Sequence, residues 1–144
     1  MSVADILKRK GSVVKVVSPD VSAQAFARLL QTEGIGAMVV KNGDGSIAGI
    51  ISERDLAYGL ATHGSNLGHL SVSALMTKVV ITCCPSDSLS QIMRVMTERR
   101  IRHLPVVEGQ ALVGIVTIGD VLKFRLEETQ MEAAVLRDYA IARS

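Results

Sequence analysis

One stretch of this chain occurs twice. Gly49-Ile50-Ile51-Ser52-Glu53-Arg54-Asp55 returns as Gly114-Ile115-Val116-Thr117-Ile118-Gly119-Asp120, an offset of 65 residues (114 − 49 = 65). Both copies read glycine, two β-branched apolar residues, a hydroxyl residue, two free positions and aspartate. Pro19 answers Pro85 at nearly the same offset (85 − 19 = 66), and Ser2-Val3-Ala4-Asp5-Ile6-Leu7 answers Ser71-Val72-Ser73-Ala74-Leu75-Met76. An internal repeat covering most of a short chain sets the architecture before any local reading, and leads us to expect ligand sites in pairs.

With 144 residues, the chain can form one compact domain or two half-domains that share a core. Hydrophobic residues make up 48% of it, yet no apolar run approaches the roughly 18–20 residues of a membrane span. The hydropathy therefore implies a well-buried αβ core and no membrane partner. Residues 1–10 carry Asp5, Lys8, Arg9 and Lys10 without an apolar signal region, which reads as a cytoplasmic protein. A net charge of +2 is mild, and Lys8-Arg9-Lys10 is the one pure basic run. We read it as a solvated helix end favoured by the helix dipole. Aromatic residues at 3% leave few platforms for stacking bases, so nucleic acid is not an expected partner. Cys83 and Cys84 are adjacent and too few for a spaced thiolate metal site, and read as a half-buried strand end. His63 and His69 read as solvated loop residues, and no metal is expected.

Each copy reads as short helix, strand, helix, two-stranded hairpin, helix. In the second, Val79-Val80-Ile81-Thr82 predicts a β-branched strand closed by Pro85. Ser86 or Ser88 then caps a helix whose apolar stripe is Leu89, Ile92, Met93 and Met96. The first copy offers Ala23, Phe26, Ala27 and Leu30 with Gly34 as a left-handed stop. Hairpins follow through Asn42-Gly43-Asp44-Gly45 and through Glu108-Gly109. The organisation is thus repeat one at 1–62, a linker at 63–70, repeat two at 71–126 and a helical extension at 127–144. On that extension Met131, Val135, Tyr139 and Ala142 share a face, which either folds back or meets a partner helix.

Ser52 with Asp55, and Thr117 with Asp120, have a structural explanation as capping boxes. Three features point beyond it. Capping boxes prefer Glu or Gln where both copies carry Asp. A strand glycine precedes each motif and lets another group approach the backbone. Each motif also ends a strand where αβ folds leave their crevices. A carboxylate there offers two acceptor oxygens to the cis hydroxyls of a ribose, and the helix N-terminus attracts phosphate.

With both motifs, Ile101-Arg102-His103-Leu104-Pro105-Val106-Val107 and the Pro-led helices, the sequence resembles the CBS domain, a family found as tandem pairs (Bateman modules). The resemblance covers nearly all of residues 2–126. It implies an α+β tandem CBS pair: two β-α-β-β-α repeats with pseudo-two-fold symmetry, small packed sheets and two inter-repeat clefts. It further implies a regulatory module for adenosine-bearing ligands: AMP, ADP, ATP, NAD(H) or S-adenosylmethionine. Carried over residue by residue, the ligand-binding set is Ser52, Arg54, Asp55, Ile101, Arg102, His103, Thr117 and Asp120, with Ile35 and Gly36 by repeat equivalence. The family arrangement groups Asp55 with Arg102 and His103, and Asp120 with Ile35 and Gly36, a set lacking a side-chain cation. A homodimer and an unidentified effector protein are the expected partners. The alternative is a structural dimerisation module with vestigial clefts. No glycine-rich phosphate loop and no placed general base is found, so catalysis is not expected.

Overall fold

The computed structural model describes residues 1–143. In chain order its elements are α1 (Val3–Lys10), β1 (Val16–Val17), α2 (Ala23–Glu33), β2 (Ala37–Lys41), β3 (Ile47–Ser52), α3 (Glu53–His63), α4 (Val72–Leu75), α5 (Leu89–Arg99), β4 (His103–Glu108), β5 (Ala111–Thr117) and α6 (Ile118–Arg143). A 3-10 turn at Gly64–His69 joins α3 to α4, with His63 and His69 both exposed. Two packing units result: residues 13–81, and residues 1–12 together with the chain from residue 82 onward.

In the unit of residues 13–81 the sheet order is β1-β2-β3. β1 runs parallel to β2, and β2 pairs antiparallel with β3, setting Met38 opposite Ile51 and Val40 opposite Gly49. The Ser22 hydroxyl accepts the Ala25 N–H at 3.2 Å and starts α2, and Gly34 ends it in the left-handed conformation (φ 65°). Between these caps α2 turns Phe26 and Leu30 onto Val17, Met38, Val40, Ile51 and Val72. Burying such side chains contributes roughly 1.5–3 kcal/mol each, so packing and not propensity holds an 11-residue helix in place.

The second unit repeats the scheme with a β4–β5 hairpin in which His103 pairs with Thr117 and Val106 with Gly114. Ser88 and Gln91 cap α5 reciprocally, and Leu89, Ile92 and Met96 are buried. Arg100 takes the left-handed stop (φ 54°) that glycine fills at position 34. The strand expected at Val79–Thr82 does not form. Val79 is 85% exposed, and pairing is confined to one parallel bridge from Cys83 to Val106. Ladder register is the cause: Cys83 stands beside Val106 as Val17 stands beside Val40. Immediately afterwards the Asp87 carboxylate accepts the Cys84 N–H at 2.8 Å and turns the chain away. Cys83 is therefore fully buried, not half-buried, while Cys84 is exposed. Burial, helped by the Asp87 charge, pushes the Cys83 thiol up to about 12, which leaves it protonated and unreactive at neutral pH.

The sequence repeat and the packing unit differ by an exchanged segment. α1 begins the first repeat but hydrogen-bonds to the start of the second: Val3 N–H to Asp87 O at 2.9 Å and Ala4 N–H to Pro85 O at 2.9 Å. α4 begins the second repeat but bonds to the first by the same pattern, Val72 N–H to Val21 O at 2.8 Å and Ser73 N–H to Pro19 O at 3.1 Å. Both hairpin glycines accommodate these helices. A Cβ at Gly49 would lie 2.6 Å from the Thr77 carbonyl oxygen, and one at Gly114 would lie 2.6 Å from a Leu7 methyl.

The last helix runs to Arg143, with Val121 and Phe124 buried near its start. Met131, Val135 and Tyr139 stand 60–70% exposed, so the stripe does not fold back on its own unit. No helix among the described residues is long and apolar enough to cross a membrane.

Candidate functional site

In each unit the repeated motif lies where a strand hands over to a helix. Ser52 ends β3 and caps α3, and its N–H donates to Asp55 Oδ2 at 2.8 Å. Thr117 ends β5 ahead of α6, its N–H donates to Asp120 Oδ2 at 2.9 Å, and its hydroxyl accepts the Asp120 N–H at 3.1 Å. The capping explanation is thus realised in both copies, although with the shorter Asp. Ser2 and Asp5 form the same box at the start of α1, with a Ser2 N–H to Asp5 Oδ2 bond of 2.9 Å. Capping therefore gives no ground for separating the two motifs from an ordinary helix start; their surroundings do.

Neighbouring strands bring the helix-exit segments beside the motifs of their own units. Gly36 O accepts the Glu53 N–H at 3.0 Å, and Arg102 O accepts the Ile118 N–H at 2.9 Å. Ile35 and Gly36 thus adjoin Ser52 in one unit, and Ile101, Arg102 and His103 adjoin Thr117 in the other. Ser52, Asp55, Thr117, Asp120, Ile35, Gly36, Ile101 and His103 are half-buried, whereas Arg54 and Arg102 are exposed. Half-burial is what a ligand carboxylate needs: reachable, yet partly shielded from water.

Two residues that repeat matching missed complete the motifs. In the unit of residues 13–81, α4 ends at Leu75 and the chain extends through Met76 (ψ 155°). Thr77 then exchanges backbone bonds with Ile50 at 2.9 and 3.0 Å, and its hydroxyl lies 3.5 Å from Asp55 Oδ1. In the other unit α1 continues as helix to Lys10, so its backbone cannot pair with β5. One ammonium takes over both jobs: Lys10 Nζ donates to Ile115 O at 2.8 Å and to Asp120 Oδ2 at 2.6 Å. Burial disfavours the charged form of Asp120, but the Lys10 ammonium and the Thr117 N–H outweigh it and hold the carboxyl below its usual range.

Lys10 adds to one expectation and corrects another. The residues that the resemblance groups with Asp120 include no side-chain cation, and Lys10, from outside that set, supplies one. The basic end of α1 is also not merely solvated: Arg9 pairs with Glu127 and sits 5.1 Å from the Phe124 ring centroid, and Lys10 holds Asp120. The physical reason is the segment exchange, which packs α1 against β5 and α6. Lys10 lies 110 residues from Asp120, and it aligns with no cation in the other copy. No group of three or more His, Cys, Asp or Glu among the described residues is placed to hold a metal ion.

The CBS domain family matches residues 3–62 and, a second time, residues 72–127. This chain belongs to the CBS-domain family. As a tandem CBS pair it is 32% identical over 147 residues to the mitochondrial CBS domain-containing protein CBSX3 of Arabidopsis thaliana, covering 96% of this chain and 71% of that one. An uncharacterized 33.4 kDa protein of Thermofilum pendens is 47% identical over 96 residues, 67% of this chain, which spans about a third (31%) of that relative's length. Among solved structures, a CBS-domain containing protein from Agrobacterium tumefaciens matches with a TM-score of 0.85 at 45% identity, covering 86% of this chain and 92% of that one. Two more distant structures, each 26% identical, carry ligands: CBSX2 in complex with AMP (TM-score 0.71, 89% and 98% covered), and the CBS domain pair of MJ0100 with 5'-methylthioadenosine and S-adenosyl-L-methionine (TM-score 0.78, 89% and 98% covered).

Proposed function

We propose that this CBS pair is a non-catalytic regulatory module that binds adenosine-containing ligands, with AMP, ADP, ATP, NAD(H) and S-adenosylmethionine as the candidate set, and reports energy or redox state to a partner protein. The observation that carries the reading is the doubled strand-to-helix junction, each with a half-buried aspartate in the first turn of the helix. One carboxylate there accepts both hydroxyls of a ribose, which is nucleoside recognition without bond-making. The AMP-bound and S-adenosylmethionine-bound relatives support the choice of adenosine. Asp55 and Asp120 are the ribose acceptors in this reading. Ser52, Arg54 and Thr117 sit beside them, and Ile35, Gly36, Ile101, Arg102 and His103 line the base and phosphate. The exposed stripe on α6 supports a homodimer buried through that helix, and sedimentation as a concentration-independent monomer would refute it.

A thermal-shift panel of AMP, ADP, ATP, NAD, NADH and S-adenosylmethionine tests the function. A ligand at about 100 times its Kd stabilises the folded state by roughly 2.7 kcal/mol, so a cognate compound raises Tm by several degrees. GMP at equal charge serves as control, and equal shifts for AMP and GMP would show that the base is not read. One observation favours the alternative of a structural dimerisation module: both aspartates already serve as capping residues. That reading expects no saturable shift with any compound in the panel.

A further inference from the structure

We propose that Lys10 is a specificity-determining residue that makes the Asp120 motif select phosphorylated adenosine ligands over neutral ones. The inference rests on the adenosine-binding reading above and concerns which adenosine compounds one motif accepts.

The two motifs present different charge to a ligand. Asp55 is approached by a hydroxyl, from Thr77, and shares its helix start with Glu53 and Arg54. Asp120 has Ile118 and Gly119 at those two positions, and the Lys10 ammonium pairs with it at 2.6 Å. Lys10 and Asp120 both keep about a quarter of their side-chain surface open, so solvent and ligand reach the pair. Arg9 does not compete for this role, because Glu127 and the Phe124 ring hold it.

A ribose diol that takes the Asp120 carboxylate must share it with the ammonium or displace it. If the ligand carries phosphate, the ammonium acquires a second anion and loses nothing by giving up part of its contact with Asp120. If the ligand is a neutral nucleoside, the ammonium loses charge-assisted bonding without replacement. The ion pair therefore taxes neutral ligands and spares anionic ones. Thr77, which is uncharged, imposes no such distinction at Asp55.

The test is calorimetry of AMP and adenosine on the full chain carrying Asp55→Ala, which isolates the Asp120 motif, with and without Lys10→Met. The AMP-over-adenosine preference should fall roughly tenfold on Lys10→Met, the worth of one charged hydrogen bond. Adenosine itself should bind as well or better. Lys10→Arg keeps the charge and should keep the preference, which separates the effect from loss of structure. An unchanged preference in a folded Lys10→Met protein overturns the role of Lys10 while leaving the adenosine reading intact. So does loss of all binding on Asp55→Ala alone while the native chain still binds. If the native chain binds neither compound, this inference falls, and if it binds nothing in the thermal-shift panel either, the adenosine reading falls with it.

Discussion

Asp55 and Asp120 end the same repeated motif, and each accepts the backbone N–H of its own capping residue within 0.1 Å of the same distance, 2.8 against 2.9 Å. Their open sides differ. Asp55 looks onto the Thr77 hydroxyl and Asp120 onto the Lys10 ammonium. The cause lies in helix length. Four-residue α4 ends early and lets the chain pair with β3, whereas eight-residue α1 continues and must reach β5 with a side chain. Duplicated motifs can thus keep one backbone geometry while neighbouring segments, supplied from the opposite repeat, set their charge.

The comparison breaks most sharply at the aspartates. On the proposed adenosine reading, replacing Asp55 or Asp120 with alanine removes charged hydrogen bonds to a ribose, at about 1.5–3 kcal/mol each. Calorimetry with AMP and adenosine should show that Asp120→Ala removes the component with the stronger preference for AMP, and that Asp55→Ala spares it. Identical losses from the two variants would erase the difference between the motifs.

The glycines give the next largest effect. Gly49→Ala drives a methyl against the rigid Thr77 carbonyl, and Gly114→Ala drives one against the mobile end of Leu7. Overpacking costs about 1–3 kcal/mol, and we place Gly49→Ala at the upper end and Gly114→Ala at the lower. Urea unfolding that ranks them in the other order would show that the β3 contact yields more readily than the α1 contact.

A smaller effect belongs to the helix stops. Gly34 is left-handed with open space around it, so Gly34→Ala should cost about 1 kcal/mol in denaturant unfolding, from backbone strain alone. Position 100 of the other unit already carries a side chain, Arg100, in that conformation. A neutral Gly34→Ala would mean that α2 can end another way.

The smallest effect is a pH dependence at Asp120. Asp120 has a folded-state pKa below its ordinary value near 3.8. Its contribution to stability is thus present above that value and is lost as pH falls through the lower, folded value. The pair is partly exposed, so solvent screening keeps this well below about 1 kcal/mol. Lys10→Met should flatten the acid limb of Tm against pH below about pH 4. An unaltered limb would mean that the Thr117 N–H alone sets the titration of Asp120.

Much of this was legible in the sequence. The repeated motif, the cap at Ser88, the stripe on α5, the stripe on α2 apart from Ala27, which is exposed, and the hairpin turns follow from local rules of period, capping and turn chemistry, and those rules act within a few residues. The strand at Val79–Thr82 failed because β-branched propensity proposes a strand while ladder register decides which residue pairs, and register chose Cys83. The candidate aspartates were legible because their motif occurs twice. Their surroundings were not.

By itself, then, the sequence determined that there are two like units, where each aspartate sits, and which helices and hairpins carry it. The tertiary structure decided which starting helix serves which unit, and through that which neighbour each aspartate receives. The reason is physical. Capping and periodicity are energies between residues a turn apart, whereas the Lys10–Asp120 pair spans 110 residues and exists because α1 docks beside Pro85 and Asp87 instead of its own repeat.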